Sequence, residues 1–464
     1  MRRMDGFSAF LLNEEQPGVY QHTLKIALLD VSGLAGGWNY DRFRECFLGR
    51  LPIIPFARWK FMRVPFGLHH PVWIDDPDFD PDYHLRRVVC PPPGDSQALC
   101  TLISQVYAWP LDQSKPLWLC WVVEGLENGR VALVILLHHA YVDGSGAARL
   151  LERFFSEQYA PARTELTEWQ PESTPRWWQL LGRALIDLPL TWWDSFPKIM
   201  KGRRDVRQLA EQFARDGREM PPNPNRDTRD SPFNILLGHG RTFVFDTYEL
   251  DDIHRISRAH KVTINDLFLA TAASACRRLM QDHGFDPDTG PLVGLIPIAR
   301  RPPPEQDDCV GNLTSVDFLS VPVHLADPLE RLQAAHRASE VMKEHYLAAR
   351  EVDLSKVMEV MPPFVLSLMD WKVRHEQGKK GNRGNLALSN VAGPATPLEL
   401  GGIRLDNWVS MGQIENGAAF NTTIWSYAGK VNLCILADKK MLPDGWLMAR
   451  YYREAFSEYE KFAG

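Results

Sequence analysis

The sequence predicts an α/β protein folded as two lobes. Three observations carry the prediction. At 464 residues, 45% of them hydrophobic, the chain exceeds what one small core needs. Strand-like apolar runs alternate with stretches of helical spacing in both halves. Between the halves, residues 161–235 are of another composition, rich in Pro, Trp and charge. The expected division is therefore a first lobe at 1–160, a crossover linker at 161–235 and a second lobe at 236–464.

In the first lobe, residues 22–31 and 131–137 read as strands, the latter a continuous apolar run suited to burial on both faces. A helix is expected near 40–50, then loops through Phe79–His84 and Pro91–Gly94. A helix at 95–108 and a strand at 117–124 follow. From Ala147 to Tyr159, Leu150, Leu151, Phe154 and Phe155 recur on one helical face. In the second lobe strands are expected at 241–248, 291–298, 312–323, 385–390, 419–427 and 430–437. Helices are expected at 251–260, 264–282, 328–348, 352–371 and 446–462.

The formal charge of -6 is spread along the chain, with no basic stripe of the kind nucleic acid selects. The seven cysteines are scattered, without CxxC or His-paired metal spacing, and read as reduced thiols in a cytoplasmic protein. No apolar segment follows the basic N-terminus as in a signal peptide. The longest apolar run, Val131 to Leu137, falls far short of the ~20 residues a membrane span takes. The expectation is a soluble protein, at most resting on the inner membrane face or on lipid inclusions.

Chemistry concentrates at His138-His139-Ala140-Tyr141-Val142-Asp143-Gly144. The two histidines sit where a buried strand ends. Neighbouring side chains on a strand face opposite ways, so one imidazole can meet a cavity while the other finds a partner in the core. A neutral imidazole, with a pKa near ~6.5, is suited to take a proton from a hydroxyl. Opposed rings cannot chelate one ion, and no third ligand is evident, so no metal site is expected. A single His at a strand end is usually a satisfied core residue. Two histidines, an Asp four residues on and a glycine at the strand-to-helix turn point instead to a general base. Gly144 and Gly146 are expected to supply permissive backbone.

HHAYVDG matches the HHxxxDG motif of the coenzyme A-dependent acyltransferase superfamily. Pro116-Leu117-Trp118, Asn265-Asp266 and Ser389-Asn390-Val391-Ala392-Gly393-Pro394 follow in order. They resemble the PLW, ND and SNVPGP segments of the bacterial wax ester synthase/diacylglycerol acyltransferase family, with Ala392 replacing a proline. Met4 to Glu15 and Phe79 to Arg87 also resemble that family's N-terminal pattern. The resemblance implies two chloramphenicol acetyltransferase-like lobes with mixed sheets and a tunnel at their interface. It implies His139 as general base, with His138, Asp143 and Gly144 supporting the turn, and Arg300 or Arg301 pairing with Asp143. Asn265 would position substrate or polarise a thioester carbonyl. Asp266 has capping-box spacing from Thr263 and reads as structural. Trp118 reads as core or tunnel wall, and Asn390 as part of a strand-ending turn, with approach to the tunnel as the alternative reading.

The implied reaction moves an acyl group from a long-chain acyl-CoA to the hydroxyl of diacylglycerol or a fatty alcohol, acyl-CoA being a substrate and no cofactor being held. Two rivals are a condensation or polyketide-ester transferase that uses a carrier-protein thioester, and a catalytically inactive lipid-binding relative. The linker carries Trp169, Trp177, Trp178, Trp192 and Trp193 beside Arg176, Arg183, Lys198, Lys201, Arg203 and Arg204. That mixture suits a membrane or lipid-droplet surface. It equally suits a strap between lobes. The Gly-rich stretch with Lys372, Arg374, Lys379, Lys380 and Arg383 reads as a solvated loop.

Overall fold

The computed structural model describes residues 1–34, 36–156, 171–300, 308–349, 354–368 and 383–462. Trp169, Arg301, Lys372, Arg374, Lys379 and Lys380 lie outside them. So do the ends of the helices expected at 147–159 and 352–371.

Two six-stranded mixed sheets organise the chain. The first runs in the order Glu399–Leu400, Ile403–Met411, His22–Asp30, Arg130–His138, Trp118–Leu126, Leu85–Val89. Its pairs are antiparallel except Leu85–Val89 with Trp118–Leu126. The second runs Thr314–Val321, Leu292–Ala299, Leu386–Ala392, Phe420–Tyr427, Lys430–Asp438, Arg241–Glu249, with Leu386–Ala392 parallel to both neighbours. A small sheet of Arg2–Arg3, Val72–Asp75 and Trp59–Met62 flanks the first.

Chain order does not map simply onto the sheets. Strand Ile403–Met411, far along the chain, pairs antiparallel with His22–Asp30 at the heart of the first sheet. It places Ser410 opposite Lys25. This strand has one exposed residue, Arg404, among mostly buried ones, so the second half completes the core of the first.

The central strands are almost wholly buried, as their Val, Ile and Leu content requires. Arg130–His138 pairs with His22–Asp30 in a register that sets His138 opposite His22 and Ile135 opposite Lys25. Helix Gly144–Phe155 leaves the end of that strand. Its Ala147, Leu150, Phe154 and Phe155 turn inward, the apolar face that the sequence spacing shows.

In place of an irregular crossover, residues Trp177–Arg215 form one helix of 39 residues with Pro189 and Pro197 inside it. Leu180 and Ala184 are buried, and Asp187 pairs with Arg3 at 2.8 Å. The basic stretch near 372–383 also departs from expectation at its described end. Arg383 pairs with Glu14 and Glu415 rather than standing in solvent.

Candidate active site

The site grows from the end of strand Arg130–His138. The His138 amide donates to Leu117 O at 3.0 Å and the His139 amide to Gln21 O at 2.7 Å, so neighbouring strands hold both backbones. Tyr141 is a pillar rather than a reactive group. Its ring stacks on Phe56 and Trp73 with both centroids 4.6 Å away, its hydroxyl accepts from Leu117 N at 2.8 Å, and it donates to Trp59 O.

The two imidazoles have separate surroundings. His138 is fully buried, and its Nδ1 accepts the Ala140 amide at 3.0 Å. That bond fixes the neutral tautomer with the proton on Nε2, which faces Glu15 Oε1 at 3.4 Å. Burial alone would raise the Glu15 pKa, but His138, Gln113 and the Gln21 amide outweigh it and hold the carboxylate down at about 2. His139 is partly exposed, with Nδ1 shut away from solvent and from any hydrogen bond among the described residues. Burial lowers its pKa to about 4. Lys25 pushes in the same direction, against the opposing pull of Asp143 and Asn312.

Asp143 caps helix Gly144–Phe155. Its Oδ1 accepts Gly146 N–H at 2.9 Å and the Ser145 hydroxyl at 2.9 Å, and its Oδ2 accepts Leu313 N–H at 2.9 Å. The capping carboxylate thus ties the turn to the segment before strand Thr314–Val321. Gly311 pairs in parallel with Val142, and its amide donates to Tyr141 O at 2.6 Å. Asn312 donates to His139 O at 2.6 Å and to Ser8 Oγ at 2.8 Å. Ser8 in turn donates to Asp5 Oδ2 at 2.6 Å. The turn is therefore clamped from the N-terminal helix Gly6–Glu14 and from residues 311–313 together.

Gly144 serves the site differently from the expectation. Neither it nor Gly146 adopts a positive φ. What matters is room, since a Cβ on Gly144 would stand 3.3 Å from Val391 Cγ2.

Beside the turn lies a cavity of about 590 Å³, counting its open mouth. Ile135, Leu137 and Val142 line it with Ala147, Leu150, Leu151 and Phe154. Across from them stand Phe47, Leu51, Ile54, Phe56, Ala57 and Trp118. The stem of Lys25 completes the apolar wall. Its wholly apolar lining suits a hydrocarbon. Trp118 is held in this wall by donation from Nε1 to Ala57 O at 2.7 Å and by stacking on His84.

Asn265 and Asp266 open helix Ile264–Asp282. Asp266 and Thr263 form a reciprocal capping box, and Asp266 Oδ2 also meets His336 Nδ1 at 2.9 Å. Asn265 is half-buried beside Ile264, Leu267 and Phe268, which line a second apolar cavity of about 400 Å³. No hydrogen bond among the described residues joins Asn265 to the His139 turn. Asn390 lies exposed on strand Leu386–Ala392, next to the Val391 that touches Gly144. Arg300 donates its amide to the carbonyl of Leu313 at 2.7 Å, the same residue whose amide bonds Asp143.

Sequence reading missed Glu15, Lys25 and Asn312 as parts of this assembly. Lys25 was visible as the one charge within the apolar run from Leu24 to Leu29. Asn312 carried no local signal, because its role depends on the second half folding against the first.

Residues 4–268 match the wax ester synthase/diacylglycerol acyltransferase catalytic domain, and residues 310–460 match the C-terminal domain of the same family. A Mycobacterium tuberculosis protein assigned as a diacylglycerol O-acyltransferase is 40% identical over 459 residues, spanning 99% of this chain and 97% of the relative. The O-acyltransferase WSD of Acinetobacter baylyi is 29% identical over 80% of this chain and 79% of that protein. Among solved structures, the wax ester synthase/diacylglycerol acyltransferase of Marinobacter aquaeolei superposes with a TM-score of 0.68 at 21% identity, covering 100% of both chains. The first condensation domain of the CDA synthetase shares the fold at a TM-score of 0.61 and 13% identity, over 100% of this chain and 95% of that one. The enzyme clamped around this HHxxxDG turn is an acyltransferase, and the chain belongs to the wax ester synthase/diacylglycerol acyltransferase family.

Proposed function

We propose that the protein transfers a long-chain acyl group from acyl-CoA to the hydroxyl of diacylglycerol, of a fatty alcohol, or of both, with His139 as general base. The observation that carries the reading is a neutral, partly exposed imidazole on a turn whose Leu137 and Val142 line an apolar cavity. With Nδ1 shut away, Nε2 is the nitrogen that meets the acceptor. It takes the hydroxyl proton as the acceptor oxygen bonds to the thioester carbonyl carbon. The tetrahedral oxyanion then collapses, the carbon–sulfur bond breaks, and the imidazolium returns its proton to the departing coenzyme A sulfur. No acyl-enzyme intermediate is needed.

His138 contributes orientation, because its fixed tautomer and its contact with Glu15 anchor the strand end that carries His139. Asp143 holds the turn through the helix cap and Leu313. Asn265 is proposed to meet substrate from the half-buried start of its helix, at the rim of the second cavity. Similarity favours this reading over a carrier-protein transferase: the condensation domain is matched at 13% identity, against 40% for the acyltransferase relative. The intact turn argues against an inactive lipid-binding relative.

The long helix supports a lipid-surface role for substrate access. Trp178, Leu185, Pro189, Trp193, Phe196 and Met200 fall on one side of it, opposite buried Leu180 and Ala184. Trp193 is 85% exposed and Leu190 64%. Arg183 and Lys201 lie on the flank of the helix, and Lys198 falls on the side of Leu180. No helix among the described residues is long and apolar enough to cross a membrane.

The reaction is tested by product analysis with palmitoyl-CoA offered diacylglycerol and hexadecanol together. The account expects triacylglycerol, wax ester or both, with one free coenzyme A thiol per ester. Hydrolysis alone, or turnover only with a carrier-bound acyl group, would overturn it.

A further inference from the structure

Lys25 has no role in the account so far, and the fold gains nothing obvious from it. It sits in the middle of strand His22–Asp30, buried, opposite Ile135 on one neighbour and Ser410 on the other. Its four-carbon stem forms part of the cavity wall, while its ammonium turns away to donate to Ser410 Oγ at 2.7 Å. The ring of Trp425, from the second sheet, lies 5.8 Å from that nitrogen. It makes no ion pair among the described residues. An ammonium buried with one neutral oxygen and one ring for company is costly to fold, and a methionine would fill the wall as well.

The position of the charge explains what the cost obtains. Lys25 and His139 belong to the same two-stranded unit, and Ile135, the cross-strand neighbour of Lys25, precedes His139 by four residues. At ~3.3 Å per residue that separates the two backbones by roughly 13 Å along the strand, with Ile135 and His139 on the same face of the sheet. The intervening space is protein and apolar cavity, where charges are poorly screened. The groups that face the ammonium are Ser410, Trp425 and Cys434 from three strands, Asp143 from the turn, and His139. Those that face His139 are Lys25, Asp143, Asn312 and His138.

We propose that Lys25 is a positioning residue for the transfer step, its ammonium field adding to burial in holding His139 as the neutral imidazole while Asp143 limits the effect. The proposal rests on His139 being the base. The field does two things. It keeps the resting base unprotonated into acidic solution, and it makes the transient imidazolium a stronger acid toward the leaving sulfur. Burial lowers the Lys25 pKa to about 8, so the ammonium is still the main form at neutral pH and is lost as pH rises beyond that.

The experiment pairs Lys25→Met, which keeps the apolar wall, with Lys25→Arg, which keeps the charge. The His139 ionisation is followed in the free protein by NMR titration, assigned by difference against His139→Ala, beside the pH profile of kcat/KM. Lys25→Met should raise the His139 pKa by about one unit or more and bring an acid limb into the profile below neutrality. Lys25→Arg should leave both near wild type. An unchanged His139 titration in Lys25→Met overturns the proposal. A raised His139 pKa with an unmoved rate profile upholds the field and refutes His139 as the base. If the Met variant does not fold, Lys25→Gln, which keeps a donor for Ser410 without the charge, gives the same readings.

Discussion

At the residue scale, the site is a set of ordinary interactions spent on holding one imidazole. Gly311 shows how little slack there is. It sits at φ +81°, and a Cβ there would come within 2.9 Å of Asp5 Oδ2. Its amide also bonds Tyr141 O in the middle of the turn. Gly311→Ala should therefore cost about 1–3 kcal/mol of stability from the left-handed backbone and the crowding. Acyl transfer should fall along with it. Urea unfolding and coenzyme A release check both, and a variant of wild-type stability would show that the clamp tolerates a side chain. The positions of His139 and Asp143 were legible because motif and strand ending converge there, and that of Trp118 because its motif opens a strand. Gly144 was legible as part of the turn, but what it supplies there is space beside Val391 rather than backbone freedom. Lys25, Glu15 and Asn312 were not, since each owes its role to partners far away in sequence.

At the element scale, periodicity located most strands and helices because apolar faces repeat at two or 3.6 residues. It failed on two. Strand Ile403–Met411 was overlooked, and its pairing with His22–Asp30 depends on long-range topology that no local pattern encodes. Helix Trp177–Arg215 was hidden by its prolines, which break the usual helical signal. That helix exposes the aromatic face it would ordinarily bury. Changing Trp192 and Trp193 to Ser should reduce flotation with anionic liposomes while leaving turnover of detergent-dispersed substrate intact. Equal flotation of the two proteins would assign the aromatics to another purpose.

At the scale of the whole molecule, buried histidines set the response to acid. Burial lowers His22, His69, His84 and His139 from 6.5 to about 4. Between those values the unfolded chain binds more protons than the native one, so stability must fall as pH drops from 6.5 toward 4. Below that, loss of the Glu15 carboxylate adds to the decline as pH falls from 4.5 toward 2. Asp5 and Glu359 oppose it, because burial raises both and their protonation favours the native state. Four histidines against two carboxyls predict a net fall in Tm between pH 7 and pH 5, read by calorimetry. A Tm that rises over that range would mean the rings are paired or hydrated when protonated. Two mixed sheets sharing a core and a clamp made from both halves of the chain hold the turn that carries His139. The most direct measurement is the two-acceptor palmitoyl-CoA assay run on wild type beside His139→Ala of equal thermal stability. The account predicts neutral-lipid ester from the wild type and a rate lower by roughly two to four orders of magnitude in the variant; near-equal rates would contradict it.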